Sequence, residues 1–445
     1  MKINRKQIWS LTWPVILANL TIPLVGLTDT IIMGHMPDSK FLAGIAIGSI
    51  VFNFVYGGLN FLRMGTTGIV AQELGKKNNY EILYGLFRPL IFSLLIGLIL
   101  YSQKSLILDI TVFSIKPEEQ IIPILKVYLF TRILGLPIGL MNMVFLGWFF
   151  GMQKAKSVML QLIVINLINI FSSILFAQFL NLGIFGVALG SVVAQFFGFI
   201  TSVLIFINYL KNETKKQYDF KQIFLIKRLQ RLFNISFDLF LRTIFLISAQ
   251  AYMIYKAGLL GIDQLAALEI IIIIFGISSY SLDGFAHTAE TMVGKAIGSK
   301  NNSAIKKAIF LSTQMAFIMS LIISFILFCF EYWITFLITD IIVLREIIDL
   351  LWIFVVFTPV IAVFAFQLDG IFVGATLSRQ MRNSMIIAFL IFYIVVEYIL
   401  RNKLNLENLY TALKLNAVYL LLAIILFYYS FSVARKKGTL INIGE

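Results

Sequence analysis

Long apolar runs, separated by short polar breaks, recur along the whole chain. Sixty per cent of the 445 residues are hydrophobic and only 13 per cent are charged. A helix that crosses a bilayer needs about 20 mostly apolar residues, so the apolar residues suffice for twelve such helices. A soluble domain would expose large apolar patches, a disordered chain would be far more polar, and a porin-type barrel would show strands of about ten alternating residues. The predicted spans lie near residues 8–33, 42–74, 82–103, 119–150, 157–180, 184–210, 231–257, 263–297, 305–330, 341–376, 383–400 and 406–434.

Lysine and arginine are distributed unevenly between the polar breaks. With a cytoplasmic N-terminus, 23 of the 36 lie in cytoplasmic segments, 8 in outer loops and 5 within or at the ends of spans. Membrane proteins retain positive charge on the cytoplasmic side, so we expect both termini to be cytoplasmic, as an even number of spans requires. We expect a multi-pass protein of the inner (cytoplasmic) membrane and attribute the net charge of +14 to this bias, not to nucleic-acid binding.

A weak internal repeat has an offset of 223 residues. Six spans per repeat is an even number, so the two halves have the same orientation and are related by an axis along the membrane normal. The sequence predicts an all-α membrane protein with twelve helices in two parallel, pseudo-symmetric six-helix bundles. The predicted parts are an N-terminal lobe (1–210), a cytoplasmic linker (211–230) and a C-terminal lobe (231–445). Two such lobes can rock between inward- and outward-open states, which favours a transporter over a receptor or an enzyme. The matching pairs are residues 70–79 with 293–302, Leu42 with Leu265, Ala43 with Ala266, and Gly151 with Gly374.

Asp29 is the clearest acid within a predicted span of the N-terminal lobe. An acid inside the bilayer costs about 2.5–3.5 kcal/mol on insertion scales, so its presence indicates a function. Pro23 removes a hydrogen bond to the carbonyl of Asn19 and predicts a kink there, and Pro14 and Gly26 make the same helix easier to bend. An acid beside a kink can couple protonation to helix shape, so we expect Asp29 to be a proton-coupling acid. The alternative is a structural acid that is permanently hydrogen-bonded.

Uncharged polar residues on other predicted spans of this lobe are candidate partners of that acid. Asn166, Asn169 and Ser173 are spaced i, i+3 and i+7 on the fifth span, which places them on one helix face. Ordinary interhelical hydrogen bonding is the alternative explanation. The candidate polar site comprises Asn142, Asn166, Asn169, Ser173 and Ser191.

The C-terminal lobe has its own charged residues within spans. Asp238 and Arg242 are four residues apart and could pair, and Arg242 could also pair with any of the other acids. These residues could bind a cation or proton, or they could form a fixed ion-pair network. The candidates are Asp369, Asp283, Glu269, Asp238 and Arg242.

Cofactor chemistry finds little support in the composition. A single cysteine, Cys329, and two histidines, His35 and His287, predict no metal site and no haem. A phosphate-binding Gly-x-x-x-x-Gly-Lys-Ser/Thr run is absent from the sequence. We therefore expect no cofactor, with H+ or Na+ as the coupling ion of uphill transport.

Several segments in both halves carry a recognisable pattern, in the same order as in a known family. These segments resemble the MATE family of multidrug and toxic-compound extrusion transporters, in particular its DinF branch. They are residues 26–35, 53–68, 282–286 with 289–290, and 368–376 with 381–383. The resemblance covers nearly the whole chain. It implies two six-helix bundles and export of organic cations in exchange for H+ or Na+.

The resemblance also implies roles for single residues. Asp29 is similar to the family's protonation site on the first helix, and Pro14 to the proline about which that helix bends. Asn169 and Ser191 resemble polar positions around that acid, whereas Ser173 stands where many relatives have a second acid. Two further matches concern the other lobe. Asp369 resembles an acid of Na+-coupled relatives, and Glu269 occupies a position where a glutamine is usual.

These observations predict a cation-coupled antiporter, with H+ as the expected ion, that exports small hydrophobic organic cations and acts as a monomer. One alternative is a Na+-coupled exporter that uses the C-terminal acids. A second is a flippase for lipid-linked precursors, in which Arg63, Arg132 and Arg242 would line a cationic cavity. A third is a passive channel or structural membrane protein.

Overall fold

The computed structural model describes residues 3–36, 38–212 and 220–400, and its regular secondary structure within these ranges consists of helices. A π-helical turn, Leu175–Phe179, follows α9, and a 3-10 turn, Phe220–Phe224, precedes α11. The helices are α1 (Arg5–Asn19), α2 (Ile22–Gly34), α3 (Ser39–Gly58), α4 (Phe61–Lys76), α5 (Asn79–Ser102), α6 (Lys104–Ile115), α7 (Ile122–Leu134), α8 (Leu136–Gly151), α9 (Ala155–Ile174), α10 (Gly183–Asn212), α11 (Ile226–Leu260), α12 (Ile262–Gly298), α13 (Asn302–Cys329), α14 (Glu331–Ile338), α15 (Ile342–Gly374) and α16 (Ser378–Leu400).

Apolar helices long enough to cross a membrane make up most of this part of the chain. Within the described residues nine helical spans qualify when α1 with α2, and α3 with α4, are each counted as one. The number is ten when α7 and α8 also count as one span. Those two helices are bent by 49° and replace the single helix predicted over 119–150. The break follows from Gly135 and from Pro137, which has no N–H to donate to the carbonyl of Ile133 as a continuous helix would require. The predicted span 383–400 lies in α16, and the span predicted for 406–434 lies outside the described residues.

Two compact units divide the described chain. We define the N-terminal unit as residues 13–74 and 78–233, and the C-terminal unit as residues 3–12, 75–77 and 234–400. Helix α10 ends at Asn212 and α11 begins at Ile226, so part of the segment predicted as linker is helical.

Each unit has its own apolar core. In the N-terminal unit Trp148 is fully buried, donates its indole N–H to the carbonyl of Ile82 at 3.0 Å and packs edge-on against Phe206. In the C-terminal unit Trp352 lies in an apolar core formed by α11, α12, α13 and α15 and donates to the carbonyl of Leu327 at 3.1 Å. A buried indole N–H needs such a partner, so both tryptophans also fix the position of a neighbouring helix.

Glycines allow the closest helix contacts in both units. A Cβ on Gly147 would collide with the carbonyl oxygen of Arg63, and a Cβ on Gly370 would collide with that of Ala286. Small residues let membrane helices approach closely enough for backbone atoms to touch. Gly147 and Gly370 are 223 residues apart, and so are Arg63 and Ala286. The sequence repeat therefore recurs as the same helix contact in each unit.

Backbone features between helices recur at the same offset. Lys77 and Lys300 have left-handed φ values of 59° and 53°, and Gln153 and Thr376 have values of 58° and 53°. Asn78 and Asn301 each accept a backbone hydrogen bond at the start of the next helix. The offset therefore continues through the turns, and equivalent positions of the two repeats can be assigned residue by residue.

Candidate proton and cation sites

A helix break precedes Asp29 by two turns. Helix α1 ends at Asn19, which is the residue whose carbonyl Pro23 cannot reach with a hydrogen bond, and α2 begins at Ile22. Thr21 stabilises the break, because its hydroxyl donates to the carbonyl of Ala18 at 2.7 Å. The predicted kink at Pro23 is therefore a break at residues 20–21. Helix α1 continues through Pro14, and a Cβ on Gly26 would meet nothing within 4 Å.

Asn166 connects the break to the fifth predicted span. Its Nδ2 donates to the Thr21 hydroxyl at 2.5 Å, and it lies on α9, which packs against α2. A change of α2 near Thr21 therefore has to rearrange a contact with α9.

Asp29 itself is buried on the face of α2 that meets α9. Its carboxylate interacts with the Ser173 hydroxyl and is attracted by the Arg132 guanidinium. Its Oδ1 atom is fully buried and has no hydrogen-bond partner among the described residues. A buried carboxylate oxygen without a partner is costly in its ionised form, so this acid can gain a proton or a ligand at that atom.

Ser173 links the acid to two further predicted residues. The Ser173 hydroxyl lies 3.3 Å from Asn169 Oδ1, and Asn169 Nδ2 donates to the Ser191 hydroxyl at 3.1 Å. Because a hydroxyl carries one proton, Ser173 can donate to Asn169 or to Asp29, but not to both at once. The backbone of α10 presses on Ser173, since a Cβ on Gly190 would lie 2.8 Å from its hydroxyl oxygen.

Arg132 on α7 is a cation that attracts this acid, and the sequence had offered it only as a cavity residue of the flippase alternative. Its guanidinium donates to the Tyr128 hydroxyl and lies 4.5 Å from the centre of the Phe52 ring. The cation is therefore held by a phenol and an aromatic face, and from there it attracts the Asp29 carboxylate electrostatically. Sequence spacing shows the i, i+4 relation of Tyr128 and Arg132, but only the packing of α7 against α3 brings Phe52 to them.

Asn142 lies in a different polar cluster from the other four candidates. Its Nδ2 donates to Gln195 Oε1 and to the Gln195 carbonyl, both at 2.8 Å, and Gln161 donates to the Asn142 carbonyl at 3.0 Å. Gln195 is one turn beyond Ser191 on α10, so this cluster neighbours the Asp29 site. The structure thus brings Asn166, Asn169, Ser173 and Ser191 to the Asp29 region and places Asn142 beside it.

Two acids of the C-terminal unit form ion pairs with arginine. Asp369 on α15 pairs with Arg242 on α11. Asp238 receives the guanidinium of Arg382 at 2.5 Å and the hydroxyl of Ser378 at 2.9 Å, both from α16. Of the two pairings of Arg242 that the sequence left open, the structure therefore has the one with another acid, Asp369, and not the one with Asp238. Arg242 pairs with a residue of α15, and Asp238 pairs with a residue of α16. No signal in the sequence pointed to Arg382 beyond its family motif.

The other predicted acids do not join these pairs. Glu269 has an exposed side chain on α12, and Asp283 is half-buried on the same helix and acts electrostatically on Tyr280. No group of three or more His, Cys, Asp or Glu side chains that could hold a metal ion occurs in the part of the chain that the structure describes.

Repeated apolar units with charged groups buried between their helices define a polytopic membrane protein of the transporter type. The MatE family model matches residues 14–175 and 239–399. DNA damage-inducible protein F of Escherichia coli K12 is 30% identical over 383 residues, which cover 86% of this chain and 83% of that protein. The chain therefore belongs to the MatE family, and the predicted resemblance to MATE transporters and their DinF branch is confirmed.

Solved structures agree with the fold. An outward-facing multidrug resistance MATE family transporter superposes with a TM-score of 0.85 at 20% identity and covers 97% of this chain and 96% of its own. A MOP superfamily transporter from Pyrococcus furiosus, whose binding pocket is described as reversed in polarity, superposes with a TM-score of 0.83 at 20% identity over 98% and 96%. The predicted all-α, MATE-like membrane fold is confirmed.

Proposed function

We propose that this protein is a proton-coupled antiporter that exports hydrophobic organic cations by alternating access, with Asp29 as the coupling acid. Its family and the name of the multidrug resistance transporter with the same fold support multidrug export. The observation that carries the proposal is the buried Oδ1 of Asp29, which has no partner among the described residues and lies two turns beyond the break in the first span.

Protonation can shift the conformation because it changes the charge of Asp29 and the hydrogen bonds that it accepts from its neighbours. The ionised carboxylate attracts Arg132 and the proton of Ser173, whereas the neutral acid leaves Ser173 free to donate to Asn169. Asn169 in turn bonds to α10, so the change can pass from α2 to two other helices. To move a two-state equilibrium from 1:99 to 99:1, the proton and the substrate together must bind one state about 5.5 kcal/mol more favourably than the other. Each proton that enters through a potential of 100 mV supplies about 2.3 kcal/mol to drive the uphill export.

Aromatic side chains around Arg132 provide a chemistry that suits the proposed substrates. Phe52 and Tyr128 lie edge-to-face at 6.4 Å and already hold one cation, Arg132. Flat organic cations are recognised by the same chemistry. The 42 phenylalanines and 14 methionines of the chain provide further adaptable apolar surface.

Sodium coupling through the C-terminal acids is less well supported. A guanidinium beside Asp369 and another beside Asp238 already neutralise these carboxylates and repel a further cation. A lipid-phosphate flippase is also less well supported. Arg63 is buried and donates to Asn60, and the guanidinium groups of Arg132 and Arg242 are engaged by Tyr128 and Asp369.

We further propose that the protein lies in the cytoplasmic membrane with both termini in the cytoplasm. The bias of lysine and arginine toward alternate polar breaks supports this orientation.

Efflux from proteoliposomes tests the coupling. Ethidium efflux driven by a pH gradient without sodium is measured for the wild type, for Asp29→Asn and for Asp109→Asn. Asp109 is the matched control because it is an exposed acid in the same unit. We expect gradient-driven efflux in the wild type and the control and its loss in Asp29→Asn. Equal efflux in all three would remove Asp29 from the coupling step, and efflux that requires sodium would replace the proton as the coupling ion.

A further inference from the structure

The internal repeat assigns a counterpart of the Asp29 site in the C-terminal unit. The helix caps Asp38 and Gly261 lie 223 residues apart, as do Ala155 and Ser378 at the starts of α9 and α16. With this offset the position of Asp29 on α2 corresponds to Tyr252 on α11. The position of Ser173 on α9 corresponds to Val396 on α16, which is adjacent to Glu397.

Tyr252 contacts α16 beside the counterpart of Ser173, at Glu397 and not at Val396 itself. The Tyr252 hydroxyl donates to Glu397 Oε1, and the Lys256 ammonium lies 2.6 Å from the same oxygen. In this repeat the acid is therefore contributed by α16, and the first predicted span of the lobe contributes the phenol and the ammonium. None of these three residues was a candidate from the sequence.

Aromatic rings surround the ammonium. Lys256 Nζ lies 5.3 Å from the centre of the Tyr252 ring and 5.9 Å from that of Tyr255. Tyr393 and Phe392 from α16 extend this wall, with ring centres 5.0 and 6.2 Å from that of Tyr252. One carboxylate together with several aromatic faces is the arrangement that recognises ammonium ligands.

The cluster is accessible from the surface of its unit. The side chains of Lys256 and Glu397 are 17% and 31% exposed, and Tyr255 is 60% exposed. Lys256 lies four residues before the end of α11, so its flexible side chain can turn toward the helix end and keep its charge hydrated. A cation that takes the place of the Lys256 ammonium beside Glu397 exchanges one ion pair for another, so the carboxylate is not left uncompensated.

We propose that Glu397 and its aromatic neighbours form a binding site for an organic monocation in the C-terminal unit, and that the Lys256 ammonium occupies this site until the ligand displaces it. The inference rests on the proposed function, because it takes the exported class of cation as the ligand. It adds a second cation site, with Lys256 as a built-in competitor that lowers the affinity of the empty transporter.

A cysteine reporter measures binding at this position. Tyr255→Cys is introduced into the full chain together with Cys329→Ser, because Cys329 is exposed and would also react. Protection of the new cysteine from maleimide by tetraphenylphosphonium then gives a half-protecting concentration for this site alone. Triphenylphosphine oxide, a neutral compound of similar shape, serves as the ligand control.

Four substitutions, each made in this background, distinguish a ligand site from a structural ion pair. Lys256→Met should lower the half-protecting concentration about tenfold, because the competitor is removed, and Glu397→Gln should raise it about tenfold. Lys104→Met is the matched control, since the Lys104 ammonium lies 5.3 Å from the Tyr101 ring and 5.1 Å from the Phe130 ring in the other unit. It should leave protection unchanged. Lys256→Gln provides a second test of the same step should Lys256→Met fail to fold.

The outcomes separate this inference from the proposed function. An unchanged or higher half-protecting concentration in the folded Lys256 variants would overturn the cation site and leave a structural ion pair. Absence of protection in the wild type and in both Lys256 variants would overturn it as well. Proton-driven ethidium efflux that depends on Asp29 would stand in either case, because that assay measures coupling and not binding near Glu397.

Discussion

The ion pair between Arg242 and Asp369 offers a direct test of whether the C-terminal acids are structural. The two side chains are only 12% and 25% exposed, and Arg242 Nε is buried with no hydrogen-bond partner among the described residues. Removal of one partner from a buried pair costs about 3–5 kcal/mol, because the other charge stays buried and uncompensated. Since this pair is partly exposed, we expect Asp369→Asn to lower the free energy of unfolding by about 3 kcal/mol, the lower end of that range.

A double variant and an exposed pair provide the controls. Replacement of both charges, by Arg242→Met with Asp369→Leu, should restore stability to within about 1 kcal/mol of the wild type. Asp340→Asn removes the partner of Arg345 in an ion pair of the same unit, where the Asp340 side chain is 95% exposed. That change should cost less than about 1 kcal/mol.

Thermal unfolding in detergent, with sodium or choline as the cation, measures these differences. A structural pair predicts the same unfolding midpoint in both salts. A sodium site predicts about 2.7 kcal/mol of stabilisation at a sodium concentration 100 times the dissociation constant. Sodium-dependent stabilisation of the wild type that disappears in Asp369→Asn would refute the structural interpretation and favour sodium coupling.

Three glycine substitutions test the bending of α2 and the packing of α12 against α15. The methyl group added by Gly26→Ala meets no atom within 4 Å. Because alanine favours the helical conformation over glycine by about 1 kcal/mol, bending of α2 should cost that much more and proton-driven efflux should slow about fivefold. Gly276→Ala in α12 is equally unhindered and should leave efflux unchanged, so equal rates in the two variants would argue against bending at Gly26. Gly370→Ala drives a Cβ against the Ala286 carbonyl and should destabilise the protein by about 1–3 kcal/mol in thermal unfolding. A midpoint equal to that of the wild type would mean that α12 and α15 can separate without cost.

Part of the Asp29 site could be predicted from the sequence because it depends on local rules. The proline at position 23 removes one specific hydrogen bond, and α1 ends at the residue whose carbonyl loses it. The spacing of Asn166, Asn169 and Ser173 places them on one face of α9, and all three lie toward α2 or α10 in the structure. Arg132 was missed as a neighbour of Asp29 because it reaches the acid only through the packing of α7.

Charge pairing in the C-terminal unit shows where local rules fail. The i, i+4 spacing of Asp238 and Arg242 permits a pair within α11, but each side chain finds its partner on another helix. Pairs on a helix surface contribute only about 0.2–0.5 kcal/mol, so a well-placed partner from α15 or α16 can replace them. Sequence spacing carries no information on which helices become neighbours.

Apolar run length, charge bias and the 223-residue offset determined from the sequence alone that the chain is a repeated helical membrane protein. These are properties of segments, since a bilayer requires about 20 apolar residues whatever the neighbouring helices are. Tertiary structure alone decided the partners of charged groups between helices: Arg132 near Asp29, Arg382 on Asp238, and Lys256 on Glu397. A charge inside a membrane protein is stable only beside a compensating group, and that group is supplied by whichever helix packs against it.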